Sequence, residues 1–458
     1  MRRSADVVVV GAGTAGLYAA TCLAESGRRV VVLERRPEGH SGARWCNGIV
    51  AWQFERAGLA PPVAPELRAR GGVTHLLSPS GTTRVSITSS PVLDADMRAL
   101  VQRLLDRAHG AGVEVLWDVT DVRPRLDDAV EAVPTDRRVR GVHATWHGEV
   151  IDIAADLVVD ASGRAGVVRD AVPALAAAAP PVEGADLCSA QQLVLDVDDP
   201  DGARAFLAEH GARPGDIVSW MAPDGGFSIQ SIHVAGDLDE ASLLTGSIAD
   251  GRHRSGSELM ADLRRRHPWL GAQRFGGGGT IPLRRTPARF AAPGVALVGD
   301  AACHVMAAHG SGIGFGLIAG RVLADALAAH HDPGSAEATW RYQRSFLREF
   351  GPTIGSFDVF RRMSVELGTA GIEQLMASGL FDEEMAASGL EQRLVDPPIS
   401  HLVGKVAQLA RHRAITRRLA PALVRGTAAR AIYRVYPRRP NEAALRRWAR
   451  AERVLLGA

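Results

Sequence analysis

Three features of the sequence predict an α/β fold, α+β overall. Three short apolar runs, Asp6–Val10, Asp156–Asp160 and Gly294–Val298, each break into a glycine-containing turn, as strands covered on both faces of a parallel sheet do. Residues 184–290 read instead as short strands with Pro and Gly turns, an antiparallel sheet inserted between the second and third runs. From Glu337 to the end the apolar spacing is helical.

The first run sets the organisation. Val7–Val10 are β-branched and suit a buried strand. Gly11-Ala12-Gly13-Thr14-Ala15-Gly16 then opens a helix that runs to about Gly27. Gly11 permits the tight turn, Gly13 lets backbone approach a diphosphate with no Cβ in the way, and Gly16 lets the helix pack on the strand. Free N–H groups at Thr14 and Ala15, with the positive end of the helix dipole, hold an anion there without a lysine. A second strand, Arg29–Leu33, leads to Glu34, eighteen residues past Gly16. That is close to the roughly 20 expected of the acid that accepts the ribose hydroxyls of an adenine dinucleotide. Arg35 is beside it. A carboxylate at this point disfavours a 2′-phosphate, since two negative groups would face each other.

Residues 39–48 read as a loop, followed by a helix from Val50 to Gly58 with Pro61-Pro62 beyond it. Residues 73–93 alternate as antiparallel strands, Met97–Gly110 has helical period, Val113–Trp117 is a strand, and Val139–Val150 is a hairpin around His147-Gly148. Helices are expected near 201–211 and 256–266. Gly276–Gly279 reads as a flexible turn between strands, because no strand precedes it in the order a nucleotide loop requires and no helix follows. After the third buried strand come a loop, Ala307–Gly314, and a helix to about Ala329. The helical end should break at Pro352, Pro397-Pro398 and Pro421.

Composition narrows the function classes. The chain has 458 residues, 46% hydrophobic, with no apolar run approaching the roughly 18–20 residues of a membrane span. The valines after Met1-Arg2-Arg3 end in the dinucleotide turn, so they are read as strand and not as a signal peptide, and the expected location is cytoplasmic. The spacing of Cys22, Cys46, Cys188 and Cys303 suggests neither a disulfide framework nor a metal site. Net charge is +2, but residues 401–458 carry +12 and the other 400 carry −10. That basic tail either matches the acidic body, meets an acidic partner, or lies on the inner membrane face as a peripheral contact. No recognition motif accompanies the charge, so nucleic acid is not expected.

Taken together, Gly11/Gly13/Gly16 with Glu34, Asp160-Ala161-Ser162-Gly163, and Gly299-Asp300-Ala301-Ala302 with Gly310-x-Gly312 resemble the FAD-dependent enzymes that include aromatic-hydroxylase-type monooxygenases, flavin-dependent halogenases and geranylgeranyl reductases. The resemblance spans roughly residues 1–335. It implies a Rossmann-like FAD-binding domain (1–72, 94–170 and 291–335) and an interleaved substrate-binding β-sheet domain (73–93 and 171–290), followed by a C-terminal helical region with the basic tail (336–458). It also implies that Asp300 holds the ribitol hydroxyls of FAD, with Gly163 and Gly299 in the neighbouring turns. Gly310, Gly312 and Ile313 would bring backbone N–H groups to the N1/O2 edge of the ring, where negative charge accumulates on reduction. Arg44 and Val119 match further cofactor positions of the family; where the family often has an arginine at the start of the helix at 97, this chain has Met97 with Arg98 next to it, the candidate cofactor contact there.

The branch follows from finer likeness. Halogenases of this group use a lysine and a Trp-x-Trp-x-Ile-Pro segment; the one lysine here, Lys405, is in the tail. Hydroxylases usually have Asp-Gly where this chain has Ser162-Gly163, and a proline where it has Ala307. Arg44-Trp45-Cys46-Asn47-Gly48-Ile49 is similar to the cysteine-glycine segment of geranylgeranyl reductases, and Ser219–Pro223 keeps the Trp220 and Pro223 of another of their segments. The resulting expectation is an FAD-dependent oxidoreductase acting on carbon–carbon bonds of an apolar substrate, isoprenoid or a secondary metabolite, by hydride transfer at flavin N5. Cys46 and His309 are the candidate proton donors and Trp220 a wall of the pocket. With one dinucleotide fingerprint in the chain, electrons must come from transient NAD(P)H or a protein donor. Alternatives are an FAD-dependent monooxygenase of secondary metabolism and a non-catalytic flavoprotein docked through its tail.

Overall fold

The computed structural model describes residues 1–127, 137–394 and 408–457. The apolar runs build a sheet whose parallel core has the order Val295–Leu297, Glu149–Asp160, Arg2–Val10, Val30–Leu33, Glu114–Leu116. Val10 pairs with Asp160 and Asp160 with Leu297, so three segments far apart in sequence end side by side. The helices Thr14–Glu25, Met97–Gly110 and Ile313–Leu327 cover this sheet through Leu17, Leu23, Leu100, Leu104, Phe315 and Leu323, all buried. The expected hairpin at His147-Gly148 is present: both residues take positive φ (51° and 81°) between strands Val139–Trp146 and Glu149–Asp160.

The second sheet has seven strands, ordered Leu270–Pro282, Leu187–Val197, Glu240–Ile248, Ser228–Val234, Ile217–Met221, Thr74–Leu77, Arg84–Ile87. It is antiparallel except where Ile217–Met221 runs parallel to Thr74–Leu77. The helices Pro200–Glu209 and Gly256–Arg266 pack on one of its faces through Phe206, Met260 and Leu263. A three-stranded sheet, Cys46–Val50, Val92–Asp96 and Leu67–Arg70, lies apart from it.

Several expectations are corrected. Gly276–Gly279 is not a turn but the middle of the Leu270–Pro282 strand, paired residue for residue with Leu193 to Ala190. The pairing strand imposes extension on glycines that have no preference of their own. Part of the expected 39–48 loop is strand, because Cys46 and Asn47 pair with Asp96 and Ala95. Pro352 and Pro421 lie inside continuous helices, Ala336–Ala377 and Arg413–Arg434. Packing holds the helix through Pro352: Tyr433 fills the notch at Gly351 and Gly355 on either side of it. The long helix breaks instead at Gly368 (φ 63°, ψ −176°). The expected break at Pro397-Pro398 and residues 401–407 of the tail, including Lys405, lie outside the described residues.

Among the described residues the tail's ion pairs to the body come from its two acids, while Arg418 adds hydrogen bonds to Glu366 O (2.9 Å) and Leu367 O (3.2 Å). Glu452 of helix Glu442–Leu456 ion-pairs with Arg285, and Glu442 with Arg289. Arg285 Nη1 also meets Asp358 Oδ2 at 2.8 Å, and Asp358 serves Arg362 Nη2 at 3.0 Å and Arg361 Nη2 at 3.4 Å. Asp358 is 1% exposed, so removing it strands buried guanidinium charge. Asp358→Ala is expected to lose about 3–5 kcal/mol in urea unfolding, whereas a loss under about 1 kcal/mol would mean that water replaces the carboxylate.

Candidate functional site

The three parallel strand ends deliver three turns to one edge of the sheet. Gly11 has φ 108°, and a Cβ there would meet Ala161 O at 2.4 Å; at Gly16 it would meet Gly11 O at 2.0 Å. The Ala15 methyl lies against both Gly299 and Gly316, so the first and third motifs touch through it. At Gly13 nothing lies within 4 Å of a Cβ position. That opening is at the start of helix Thr14–Glu25, as the diphosphate reading requires.

The second motif owes its shape to a residue that sequence reasoning did not single out. Asp160 is fully buried, and its carboxylate accepts from Ser162 N (3.0 Å), Ser162 Oγ (2.6 Å), Val168 N (2.9 Å) and Arg169 N (2.8 Å). All its capacity is used inside the protein, so it anchors the turn that carries Gly163 (φ 69°). An acid at the end of an apolar strand, two residues before Ser, was the available signal.

Glu34 is buried over the glycine turn. Its Oε2 accepts from Ala12 N at 2.7 Å, its Oε1 from Arg36 N at 3.0 Å, and its carbonyl from Val119 N at 2.9 Å, which places Val119 beside it. Arg35 is exposed and makes no hydrogen bond or ion pair among the described residues. Its neighbour Arg36 ties the loop by donating to His40 O and Gly42 O. Arg44 and Arg98 border one small cleft with Gly39, Ser41 and Gln102. Arg44 donates to Gly39 O, and Arg98 is held by Asp96 through two bonds (3.0 and 2.6 Å) with its guanidinium 3.6 Å from the centre of the Phe275 ring.

In the third motif the turn at Gly299 (φ 64°) presents Asp300. A Cβ at Gly312 would lie 3.3 Å from Asp300 Oδ1. Among the described residues the carboxylate makes no hydrogen bond or ion pair, and burial pushes it up to about 6. Helix Ile313–Leu327 starts at Gly312 with no side-chain cap, as Thr14–Glu25 does at Gly13. By contrast, Asp96, Asp199, Ser255, Ser335, Asp382 and Asn441 cap their helices. Two helix starts without a cap, an open glycine cradle and a carboxylate with no partner suit FAD: diphosphate at the first helix, ribitol hydroxyls at Asp300, the electron-rich ring edge at Gly312 and Ile313.

The seven-stranded sheet meets this edge with its other face. Gly277, Gly279 and Ile281 alternate onto one side of their strand. Trp45 lies against Gly277 and Gly279 and Gly310 against Ile281, so the Trp45-Cys46 and His309-Gly310 segments share that inner face. Gln192, paired with Gly277, accepts from Cys46 N. Cys46 is 2% exposed; burial pushes its thiol up to about 12, Asp94 adds to this, and Arg68 opposes it. His309 is pushed down to about 4 by desolvation, yet its side chain is exposed, as for a group lining a cavity walled by protein. Phe357 (ring centres 5.9 Å apart) and Gly389 flank it.

Trp220 is not part of this arrangement. The register runs Gln192, Leu244, Ser231, Ser219 across the inner face, so Trp220, paired with Gln230, points to the helix-covered one. There it packs with His210 (5.3 Å), Phe206 (6.4 Å) and His267 (6.5 Å). The period of two in a strand puts the neighbour of an inner-face residue outside, and the sequence did not show which was which.

A family model described as FAD dependent oxidoreductase matches residues 6–186. Digeranylgeranylglycerophospholipid reductase 2 of Methanopyrus kandleri is 31% identical over 379 residues, 79% of this chain and 88% of that protein. Digeranylgeranylglycerophospholipid reductase of Sulfolobus acidocaldarius is 25% identical over 410 residues, 83% and 81% of the two chains. Among solved structures, a geranylgeranyl bacteriochlorophyll reductase-like protein of Thermoplasma acidophilum has the same fold, with a TM-score of 0.72 at 16% identity over 92% of this chain and 100% of that one.

Two predictions follow from the cradle and the carboxylate. Gly13→Val fills the open space, so the protein should purify without flavin and melt at the temperature of the flavin-stripped wild type. Hydroxyl donors favour the ionised form of Asp300, so FAD binding expels its proton. Affinity should therefore be weak below about pH 5, rise through about 6 and level off above it. Flavin titrations of Asp300→Asn should lose that pH dependence and weaken about 10- to 100-fold, the worth of a charged hydrogen bond.

Proposed function

The chain belongs to the FAD-dependent oxidoreductases of the geranylgeranyl reductase group, and on that premise we propose that it saturates isolated carbon–carbon double bonds of a polyprenyl chain. The observation that carries this reading is the inner face of the seven-stranded sheet beside the cofactor motifs. Gly277 and Gly279 leave its edge strand without side chains, and Leu244 on the same face is 41% exposed. A face that carries the Trp45 ring over Gly277 and Gly279 and the uncovered Leu244 side chain suits a long methyl-branched chain that offers no polar handle.

Reduced FAD supplies a hydride at N5. The protein's part is to position the substrate, exclude water and hold the matching proton. At neutral pH the Cys46 thiol keeps its proton and the His309 imidazole is uncharged. In this reading Cys46 Sγ gives a proton to one alkene carbon as the other receives hydride, so the product gains two hydrogens and the thiol is reprotonated from solvent. Trp45, flat on the glycine strand, walls the chain, and His309 is a neutral side of the cavity. Electrons arrive from a dissociable donor, NAD(P)H or a small redox protein.

The test is anaerobic mixing of chemically reduced holoenzyme with a geranylgeranyl-bearing lipid, following flavin reoxidation and product mass. Substrate-dependent reoxidation with two hydrogens added per double bond is expected, and Cys46→Ala should lower kcat about 10²- to 10⁴-fold with little change in KM. Turnover that strictly consumes oxygen would overturn the reading.

A further inference from the structure

We propose that the outer face of the last two helices, Arg413–Arg434 and Glu442–Leu456, docks the protein on an anionic lipid bilayer. This deepens the proposed function by naming where a polyprenyl lipid is met.

Each helix has an inner face already spent on the body. Ile415, Leu419, Ala422 and Ala429 of the first, and Leu445, Trp448 and Leu456 of the second, are buried. What remains outside is unusual in two respects. Twelve arginines between 408 and 457 are exposed, and none forms an ion pair among the described residues. The two acids of the segment cannot offset them locally, because Glu442 and Glu452 are taken by Arg289 and Arg285 of the body.

Among these arginines stand bare apolar side chains: Leu423 (40%), Val424 (68%), Val435 (66%), Val454 (74%) and Leu455 (42%). They make up five of the eleven exposed large hydrophobics of the described chain. Guanidinium groups around uncovered valine and leucine match the boundary between lipid phosphate and acyl chain. An acidic protein or nucleic acid would use the charge but leave the hydrocarbon unexplained.

The position suits delivery. Phe357, beside His309, and Phe360, against Gly426, are one turn apart on the helix Ala336–Ala377 with their rings in contact (centres 5.9 Å apart), so one aromatic pair links the His309 segment to the inner face of Arg413–Arg434.

Sedimentation of the full-length holoprotein with vesicles tests this without turnover, so failure here would leave the reductase reading standing. Binding is expected to vesicles of one part phosphatidylglycerol in three with phosphatidylcholine, weak binding to phosphatidylcholine alone, and release by salt. Arg446→Ala, Arg447→Ala, Arg450→Ala and Arg453→Ala should each weaken it about fivefold at low salt. Leu423→Asp with Val424→Asp should weaken it further, and circular dichroism should be native for all variants. Equal binding to neutral vesicles, no binding to either, or capture by polyglutamate with no affinity for vesicles would each overturn the proposal.

Discussion

The site rests on the close lateral approach of three strand ends, and the buried carboxylate of Asp160 is what makes that approach stable. It lies between Val10 and Leu297 in the ladder, with no room for a side chain at Gly11 opposite Ala161 O. A charge at 0% exposure is tolerated there because four donors surround it. Those donors all come from the chain just beyond, so the same bonds that solvate the charge fold the second turn back beside the first. Ala15 then passes the order on to Gly299 and Gly316, fixing the third.

The protein leaves this edge deliberately incomplete. Most of its longer helices are capped by Ser, Asp or Asn; those that begin at Gly13, Gly312 and His412 are not, and the first two of these open on the motif edge. An N-terminal cap is worth about 1 kcal/mol, so stability has been withheld at these two helix starts. Departures from local rules concentrate where a ligand supplies the missing partner, and the unpartnered Asp300 belongs to the same pattern. FAD therefore completes the fold as well as equipping it.

What could be read from the sequence was what local chemistry decides. Gly11, Gly13, Gly16 and Glu34 were legible because turn, cradle, packing and acid follow one another within a single β–α–β unit. The apolar runs gave the buried strands, and Met97–Gly110 its helix, for the same reason. What could not be read depended on register between distant segments. Whether Trp220 or Ser219 faces the cavity turns on a one-residue phase set by pairing to Ser228–Val234. The extension of Gly276–Gly279 is dictated by pairing with Leu187–Val197, a strand far earlier in the sequence. Pro352 promised a break that the packing of Tyr433 prevents, while Gly368, unremarked, supplies one. Asp160 and Asp96 were visible as acids, but their work, gripping a turn and clamping Arg98, exists only in three dimensions.

One cause runs through the titrating groups around the ring site. Asp300 and Cys46 are raised, His309 is lowered, and in each case desolvation is the largest contribution. A cavity that pushes an acid up and a base down is hostile to charge of either sign. Such a place cannot stabilise a lone carbanion or a lone carbocation on a hydrocarbon. In the reduction proposed above, hydride and proton would be added together, so that no net charge would remain in the low-dielectric space. The charged parts of FAD would be met, by contrast, at the helix starts on the sheet edge, where dipoles and free N–H groups suit them.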